Sequence, residues 1–292
     1  GRAYGRGTCD MKGFIACCLA AVPSFVTRPL KAPIHLAFSY DEELGCVGVR
    51  PMLEWLARQP WKPAGAIIGE PTGMQVVTGH KGKRSVRVVV RGAGAHSSLA
   101  PKAVNAVQYG ARLVARITDQ AGELMRSGAR DPLFDIVHST GHVGLFRGGE
   151  ALNIVPDHAE ILFEFRTVGA DDPDALVAGI REYAEQVLVP EMQAVDPATG
   201  IDFDVYAGFP GLDTTHDAPL VSLAKHWAAR NDHAKVAFGT EAGLFTAMAG
   251  ITAVVMGPGS IGEAHKADEF IAVSQIAACM AMLERMRASC AA

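Results

Sequence analysis

The chain has 292 residues, of which 49% are hydrophobic and 20% charged, a composition typical of a folded enzyme long enough for two domains. Its 27 Lys and Arg residues and 31 Asp and Glu residues give a net charge of −4, which argues against a nucleic-acid-binding protein. No continuous apolar run reaches the roughly 18 residues of a membrane-spanning helix, so we expect no membrane partner.

The cysteine pattern excludes two common classes of site. Six cysteines occur, and none of them forms a CxxC pair. Zinc ribbons and thioredoxin-like redox sites are therefore not expected. Buried, reduced thiols in a cytoplasmic protein are the interpretation that this pattern favours.

The first predicted element is an Ala-rich apolar helix over residues 14–22. Asp10 lies just before it, after a Gly-rich turn. Two interpretations of Asp10 are open, a helix N-cap and a carboxylate that binds a metal ion. Taken from this stretch alone, the N-cap is favoured, because Asp is common at that position.

An acidic triplet follows the next predicted element. Residues 34–40 form an apolar run that predicts a strand, and Asp41, Glu42 and Glu43 come directly after it. Three adjacent carboxylates repel one another and raise one another's pKa unless a cation lies among them. By itself the triplet is more typical of a solvated acidic turn.

Other predicted strands end in a similar way. After a helix over residues 49–58, a second buried strand over residues 64–69 ends at Glu70. A third buried strand over residues 250–256 is followed by His265. A helix over residues 218–231 precedes that strand, and an amphipathic helix over residues 274–287 follows it.

The middle of the chain has a different pattern. Strands are predicted over residues 85–91, 135–145, 158–166 and 201–206, and helices over residues 104–118 and 173–189. The resulting β-α-β-β-α-β order is that of a compact ferredoxin-like α+β unit. We therefore expect an inserted domain over residues 82–207, with the first domain divided into residues 1–81 and 208–292.

Strands that alternate with helices predict an α/β domain with a mostly parallel sheet. Ligands of such sheets bind beyond the carboxyl ends of the strands. The pair Glu42 and Glu43, then Glu70, and then His265 follow three separate predicted strands, and Asp10 precedes a nearby helix. We therefore expect these side chains to converge although they are distant in sequence.

Carboxylates together with imidazole suit zinc, and also cobalt or manganese. Two metal ions about 3.5–4 Å apart need a shared carboxylate, and the adjacent pair Glu42 and Glu43 could supply one base and one ligand. A nearby Glu can complete the deprotonation of a metal-activated water, so the pattern indicates hydrolysis of an amide or peptide bond. No GxSxG elbow and no Walker phosphate loop occurs in the sequence.

Six motifs in order over nearly the full length make the chain resemble the zinc-dependent aminoacylase/deacetylase metallopeptidase family. They are GRGTCDMKG (5–13), SYDEE (39–43), GEPT (69–72), AHSS (95–98), GTEAG (239–243) and AHKADE (264–269). The resemblance implies an N-acyl amino acid as substrate, two zinc ions with cobalt possible, a homodimer and a cytoplasmic location. It also implies that the inserted unit is a dimerisation domain that acts as a lid.

The resemblance also implies roles for single residues. Asp10 corresponds to the carboxylate that bridges two zinc ions, and Glu42 to the general base. Glu43 corresponds to a ligand of one zinc ion, Glu70 to a ligand of the other, and His265 to the imidazole opposite it.

Three further roles follow from the resemblance in the inserted unit. His96 corresponds to a residue that reaches the partner subunit's site and donates to the oxyanion. Asn153 and Arg166 correspond to residues that hold the substrate carboxylate, for which the planar fork of Arg is suited. A turn residue and a surface charge are equally good interpretations of Asn153 and Arg166.

The sequence departs from the family pattern at its start. The family has a His-x-Asp pair upstream of the GRG motif, and the sequence begins at Gly1 without it. We therefore expect that an N-terminal part precedes this sequence in the natural protein, and that the chain alone is poorly active. A non-catalytic dimerisation or binding module is the alternative.

Overall fold

The computed structural model describes residues 1–291. The chain divides into two compact units. Unit 1 comprises Gly1–His80 and the segment that begins at Pro210, and unit 2 is Lys81–Phe209. The sequence predicted an insertion over residues 82–207.

The strands and helices of the described residues are numbered in chain order. The strands are β1 (Arg2–Tyr4), β2 (Ala66–Pro71), β3 (Val76–His80), β4 (Gly82–Arg91), β5 (Ala95–His96), β6 (Thr140–Gly148), β7 (Ile154–Val155), β8 (His158–Thr167), β9 (Gly200–Phe209), β10 (Leu212–Asp213), β11 (His233–Val236), β12 (Ala253–Gly257) and β13 (Phe270–Ala272). The helices are α1 (Gly13–Phe25), α2 (Arg50–Ala57), α3 (Ala106–Ser127), α4 (Pro173–Tyr183), α5 (Val189–Gln193), α6 (Pro219–Ala228), α7 (Ala242–Ala249) and α8 (Val273–Cys290).

The main sheet of unit 1 is mixed, so the prediction of a mostly parallel sheet was wrong. Its order is β10-β3-β12-β2, and β11 also pairs with β3. β12 runs parallel to β2 and antiparallel to β3. The reason is the short connection of residues 72–75 between β2 and β3, which reverses the chain. A parallel neighbour needs a crossover of a dozen or more residues.

The strand predicted over residues 34–40 is absent from the sheets of residues 1–291. The segment carries no helix or strand assignment, Ile34 and Leu36 pack against the apolar core of unit 1, and Phe38 and Tyr40 are exposed. An apolar run becomes a strand only where a neighbouring backbone can pair with its N–H and C=O groups. No strand of residues 1–291 pairs with the segment of residues 34–40.

Helix α1 belongs to the core of unit 1. Cys17, Cys18, Ala21 and Phe25 are buried in a cluster that includes side chains of α6, β12 and α8. By length and composition the window Thr8–Phe25, with a mean hydropathy of 1.2, could cross a membrane. The sequence did not predict this window, because polar residues interrupt its apolar run. The α-helical part has 13 residues, about 20 Å, which is shorter than the hydrocarbon core of a bilayer.

Unit 2 has the β-α-β-β-α-β order of its sequence pattern. Its sheet has the strand order β6-β8-β4-β9, and every neighbouring pair is antiparallel. Strand β8 alternates strictly between buried and partly exposed residues from Ala159 to Thr167, so one face of the sheet packs on the helices. The core holds Val86, Val88 and Val90 of β4 together with Leu113 and Ile117 of α3.

Candidate active site

Three predicted metal ligands meet in unit 1. His265 Nε2 lies 2.9 Å from Asp10 Oδ2 and 3.0 Å from Glu43 Oε1. Ligand atoms of Asp10, Glu43 and His265 all lie within 4.8 Å of one another. The structure therefore brings together three side chains that are up to 255 positions apart in sequence.

The fold explains how Glu70 and His265 come to the same edge. Glu70 lies near the end of β2, and β12 runs parallel beside it with Gly257 opposite Pro71. The loop that carries His265 follows β12. Since parallel neighbours end at the same edge of a sheet, the convergence predicted for these two residues has a direct structural cause.

The start of α1 lies against the same edge. A Cβ at Gly69 would lie 2.0 Å from the ring of Phe14, so glycine allows the first turn of α1 to pack directly on β2. Asp10 precedes this turn. The interpretation of Asp10 as the N-cap was wrong, because α1 begins at Gly13 with Lys12 at the N-cap position. Asp10 Oδ2 contacts His265 instead.

Glu269 holds the loop that carries Asp10. Its buried carboxylate accepts the backbone N–H groups of Gly7 and Cys9 at 2.9 Å and that of Asp10 at 3.1 Å. The Arg6 guanidinium donates to it at 2.7 Å. Burial raises the pKa of Glu269, but these donors outweigh burial and lower its pKa to about 2. Glu269 therefore stays ionised and fixes the backbone of Asp10.

Glu42, the predicted base, lies close to Asp10 and Glu43. Burial raises the pKa of Glu42 to about 7, and the charges of Glu43, Glu241 and Asp10 act in the same direction. The thiol of Cys46 opposes this by donating to Glu42 Oε1 at 3.4 Å. A carboxyl whose pKa is near neutrality can both take and return a proton.

Glu70 is buried, with 7% of its surface exposed. Burial raises the pKa of Glu70 well above its ordinary value, and the negative charges of Asp10 and Glu42 raise it further. Glu70 is therefore within electrostatic reach of Asp10, although it is outside the three residues whose ligand atoms converge.

Three non-glycine residues around the site have positive φ. They are Asp41 at 53°, Cys46 at 58° and His265 at 57°. This left-handed conformation costs a non-glycine residue about 1–2 kcal/mol. Such strain is concentrated at binding and catalytic sites, where the surrounding structure imposes it. The loops of residues 41–46 and 264–266 are therefore held in a particular conformation.

The three remaining predicted residues lie in unit 2. His96 on β5 and Asn153 before β7 are neighbours, because β5 pairs with β7 and Ser97 N–H donates to the Asn153 carbonyl at 2.9 Å. Ser98 N–H donates to His96 Nδ1 at 3.3 Å. A neutral His96 ring therefore carries its proton on Nε2. The ring is exposed.

Arg166 on β8 forms an ion pair within unit 2. Its Nε donates to Glu164 Oε1 at 2.9 Å, and Lys83 lies 3.3 Å from the same carboxylate. Burial raises the pKa of Glu164, but Arg166 and then Lys83 outweigh it and lower the pKa below its ordinary value. Arg166 is therefore a paired, half-buried charge rather than an isolated surface one.

Two residues of the site were missed by the sequence reasoning. Glu269 and Glu241 were quoted only as parts of motifs, without a role. Glu269 is the buried acceptor described above, and Glu241 is a buried carboxylate that receives a hydrogen bond from Ser39 Oγ at 2.8 Å. The available signal was the position of both residues inside motifs that also contain, or lie next to, predicted ligands.

The donor set fits a metal ion of the zinc type. Two carboxylates and one imidazole with ligand atoms within 4.8 Å of one another can surround one ion. Mixed oxygen and nitrogen ligands suit zinc, cobalt or manganese rather than calcium or copper(I). Glu70, whose pKa is raised by the charge of Asp10, offers a further carboxylate near this group.

Comparison with known proteins identifies the family. The profile of "Peptidase family M20/M25/M40" matches residues 1–288. An acetylornithine deacetylase of Myxococcus xanthus is 34% identical over 286 residues, which cover 98% of this chain and 72% of that protein. The acetylornithine deacetylase of Proteus mirabilis (strain HI4320) is 30% identical over 271 residues, covering 93% of this chain and 67% of that protein.

A solved structure supports the same fold. The aminopeptidase PepT from Bacillus cereus ATCC 10987 superposes with a TM-score of 0.73 at 23% identity, over 95% of this chain and 70% of that one. At this identity the likeness concerns the fold and not the substrate. With the profile match over nearly the whole sequence, the chain belongs to peptidase family M20/M25/M40 and has the fold of its hydrolases.

Proposed function

We propose that this chain is the catalytic part of a two-zinc amidohydrolase that converts N2-acetyl-L-ornithine and water to ornithine and acetate. The observation that carries the proposal is the convergence of Asp10, Glu43 and His265 beside Glu42, whose pKa is near neutrality. Metal ligands next to a carboxyl that can exchange a proton are the machinery of metal-assisted hydrolysis.

The proposed metal roles rest on the donor atoms that the chain offers. Asp10, Glu43 and His265 would hold one zinc ion, and Asp10 and Glu70 would contribute to a second, with Asp10 as the shared carboxylate. Cobalt would suit the same donors. When bound, the two ions supply Lewis acidity toward the amide carbonyl and lower the pKa of water. Glu269 contributes by holding the Asp10 backbone in place.

Glu42 is the proton carrier of the proposed reaction. It takes a proton from the attacking water and hands it to the amine nitrogen of ornithine as the C–N bond breaks. Burial raises the pKa of Glu42 above its ordinary value, and a carboxyl with a raised pKa accepts a proton from water more readily and can return it to the amine. Cys46, which donates to Glu42 Oε1, helps to orient the carboxylate.

Unit 2 supplies the remaining roles in this proposal. It acts as a dimerisation lid, and His96 of one subunit donates from Nε2 to the oxyanion in the partner's site. The hydrogen bond from Ser98 N–H to Nδ1 supports this, because it selects the tautomer with a donor on Nε2. Asn153 and Arg166 bind the substrate carboxylate, for which Arg166 must share or exchange its contact with Glu164.

The substrate is inferred from the relatives and from three sequence features. Two relatives at 30–34% identity are named acetylornithine deacetylase. Cys9 in the first motif, Glu-Pro-Thr at 70–72 and Gly-Thr-Glu at 239–241 favour that enzyme over succinyl-diaminopimelate desuccinylase. We place the reaction in arginine biosynthesis in the cytoplasm. Another N-acyl amino acid is the alternative substrate.

The experiment is release of ornithine from N2-acetyl-L-ornithine, with zinc, by the protein expressed from the complete reading frame that contains this sequence. N-succinyl-L,L-diaminopimelate and a tripeptide are assayed in parallel. Turnover of the acetyl substrate at 10²-fold or more higher kcat/KM than the others supports the proposal. Preferred turnover of either alternative reassigns the substrate. No turnover of any of the three by the folded, zinc-loaded protein contradicts the substrate assignment, and a further lack of turnover across other N-acyl amino acids favours a binding module.

A further inference from the structure

The carboxylate of Glu241 lies in the site without an assigned role. Glu241 is 6% exposed and immediately precedes α7. One oxygen, Oε2, accepts the hydroxyl of Ser39 at 2.8 Å. The other oxygen, Oε1, is buried and has no hydrogen-bond partner in residues 1–291. A buried carboxylate oxygen without a donor is costly, so its presence calls for a cause.

Local structure does not supply that cause. Glu241 occupies the N-cap position of α7, but its side chain makes no capping hydrogen bond. The capping contact is made by Thr240, whose Oγ1 accepts Ala242 N–H at 3.0 Å. A threonine therefore already performs the structural task, and the Glu241 carboxylate is directed elsewhere.

The carboxylate lies near the predicted base. The charge of Glu241 raises the pKa of both Glu42 and Glu70, which places it within electrostatic reach of the two. Its oxygens are not among the ligand atoms of Asp10, Glu43 and His265 that converge within 4.8 Å. Glu241 thus belongs to the cluster but stands apart from the three converging ligands.

The charge balance of the cluster calls for one more cation. Five carboxylates lie together: Asp10, Glu42, Glu43, Glu70 and Glu241. Two divalent ions, as in the proposed function, offset four of these charges. Arg6 is shared between Glu43 and the buried Glu269. When Glu42 is in its ionised, basic form, one negative charge is left over, and Glu241 is the carboxylate with an open oxygen.

We propose that Glu241 recognises a primary ammonium group at the end of the substrate's side chain, and so selects N-acyl diamino acids over neutral N-acyl amino acids. The inference rests on the proposed function and names the selecting residue. An ammonium group carries three donors on a compact cation, and it is therefore the complement of a carboxylate with an open oxygen. Ser39 keeps the carboxylate oriented toward it.

The test compares two substrates of nearly equal shape. N2-acetyl-L-ornithine carries the ammonium group, and N-acetyl-L-norvaline has the same chain up to the δ-carbon without it. In Glu241→Gln, which keeps the size of the side chain, kcat/KM for the acetylornithine should fall by about 10²-fold through KM, since a charge-assisted hydrogen bond is lost. The ratio of kcat/KM for the acetylornithine to that for the acetylnorvaline should therefore fall by at least about 30-fold, because any change that the lost charge causes at Glu42 affects both substrates alike.

Two further variants sharpen the test. Ser39→Ala should reduce the preference for the acetylornithine by a smaller factor, because the carboxylate remains but is less well oriented. Glu54→Gln on α2, an exposed carboxylate, is the matched control and should change neither substrate. Equal loss on both substrates in Glu241→Gln would make the residue a support of the catalytic group and overturn the inference, as would no loss on either.

Binding separates this inference from the proposed reaction. Calorimetry is used to compare L-ornithine with L-norvaline on zinc-loaded wild type and Glu241→Gln. If neither acetyl substrate is hydrolysed, the proposed function fails, while a preference for ornithine that disappears in the variant still supports Glu241. Equal binding of both ligands to the wild type, or binding of neither, overturns the inference whatever the activity.

Discussion

The carboxylates of unit 2 and those of the site in unit 1 have opposite surroundings. In unit 2, Asp202 on β9 lies 2.7 Å from Arg91 and Asp174 on α4 lies 2.6 Å from Arg84, and these arginines lower the pKa of both acids. In unit 1, burial raises the pKa of Glu42 and Glu70, and neighbouring carboxylates raise both further. In unit 2 these acids are paired with arginine side chains of the same chain. The acids of the candidate site in unit 1 instead form a group that could bind cations from solution.

Perturbed pKa values are concentrated at functional sites for this reason. Glu269 is the informative intermediate case, because it is buried in unit 1 yet its pKa is lowered to about 2. Its partners are backbone N–H groups and Arg6, so it acts in the structure of the site rather than in proton transfer. The predictions below test this contrast, from the largest expected effect to the smallest.

Glu42→Ala removes the proposed proton carrier. Turnover should fall by about 10³–10⁴-fold, the upper range of a general base, while zinc content stays unchanged. Metal analysis alongside steady-state kinetics measures both quantities on one preparation. Near-normal turnover in the folded variant would contradict the assignment of Glu42. The exposed Glu54→Gln serves as control and should retain full activity.

Glu269→Gln removes the buried charge that holds the Asp10 loop. We expect the free energy of unfolding to fall by about 3 kcal/mol at pH 7, because buried donors lose an ionised acceptor. The ordinary pKa is 4.5 and the folded value about 2. The stabilisation is therefore complete above pH 4.5 and disappears as the pH falls toward 2.

Urea titrations of wild type and Glu269→Gln at pH 7, 4 and 3 measure this effect. The difference between the two proteins should shrink steadily over that range. A difference that stays constant from pH 7 to pH 3 would mean that the charge of Glu269 is not the stabilising feature. Glu54→Gln should lie within about 0.5 kcal/mol of wild type at pH 7.

Removal of zinc by a chelator should lower the melting temperature of the wild type. A ligand at 100 times its Kd stabilises the folded state by about 2.7 kcal/mol. The double variant Glu43→Ala/His265→Ala lacks two of the three converging ligands and should show no response to zinc. Calorimetric scans with and without zinc give the comparison. A wild-type melting temperature that is the same with and without zinc would contradict the metal site.

Arg91→Ala breaks an ion pair of unit 2 and should have the smallest effect. The pair with Asp202 is exposed on both sides, with 50% and 62% of the side chains accessible. Exposed pairs contribute about 0.2–1 kcal/mol, and salt screens them. Urea titrations at low and high salt should show a small loss that vanishes at high salt. A loss as large as that of Glu269→Gln would remove the contrast between the two regions.

The sequence alone indicated much of the site, because ligands at strand ends obey simple geometry. Glu70 ends β2, and His265 follows β12, and the two strands are parallel neighbours. Their convergence with Asp10 could therefore be expected from the pattern of apolar runs. The order of elements in unit 2 could also be predicted, because the apolar residues of each strand and helix there have the spacing typical of that element.

The sequence could not indicate what depends on pairing between distant segments. Residues 34–40 have the composition of a strand, but no strand of residues 1–291 pairs with them. The direction of β3 follows from a four-residue turn, which makes the sheet mixed. The spacing of apolar residues indicates which side chains are buried, but it does not indicate which strand pairs with the segment.

Glu269 and Glu241 show the same limit within the site. Glu269 lies 259 positions from Asp10, whose backbone it holds, and Glu241 lies 202 positions from Ser39. Both residues stand in polar motifs where an exposed acid would be equally common. Composition and period thus determined the elements and the chemistry available to this protein. Long-range packing alone determined which acids are neutralised by the chain and which are left for a metal ion or a substrate.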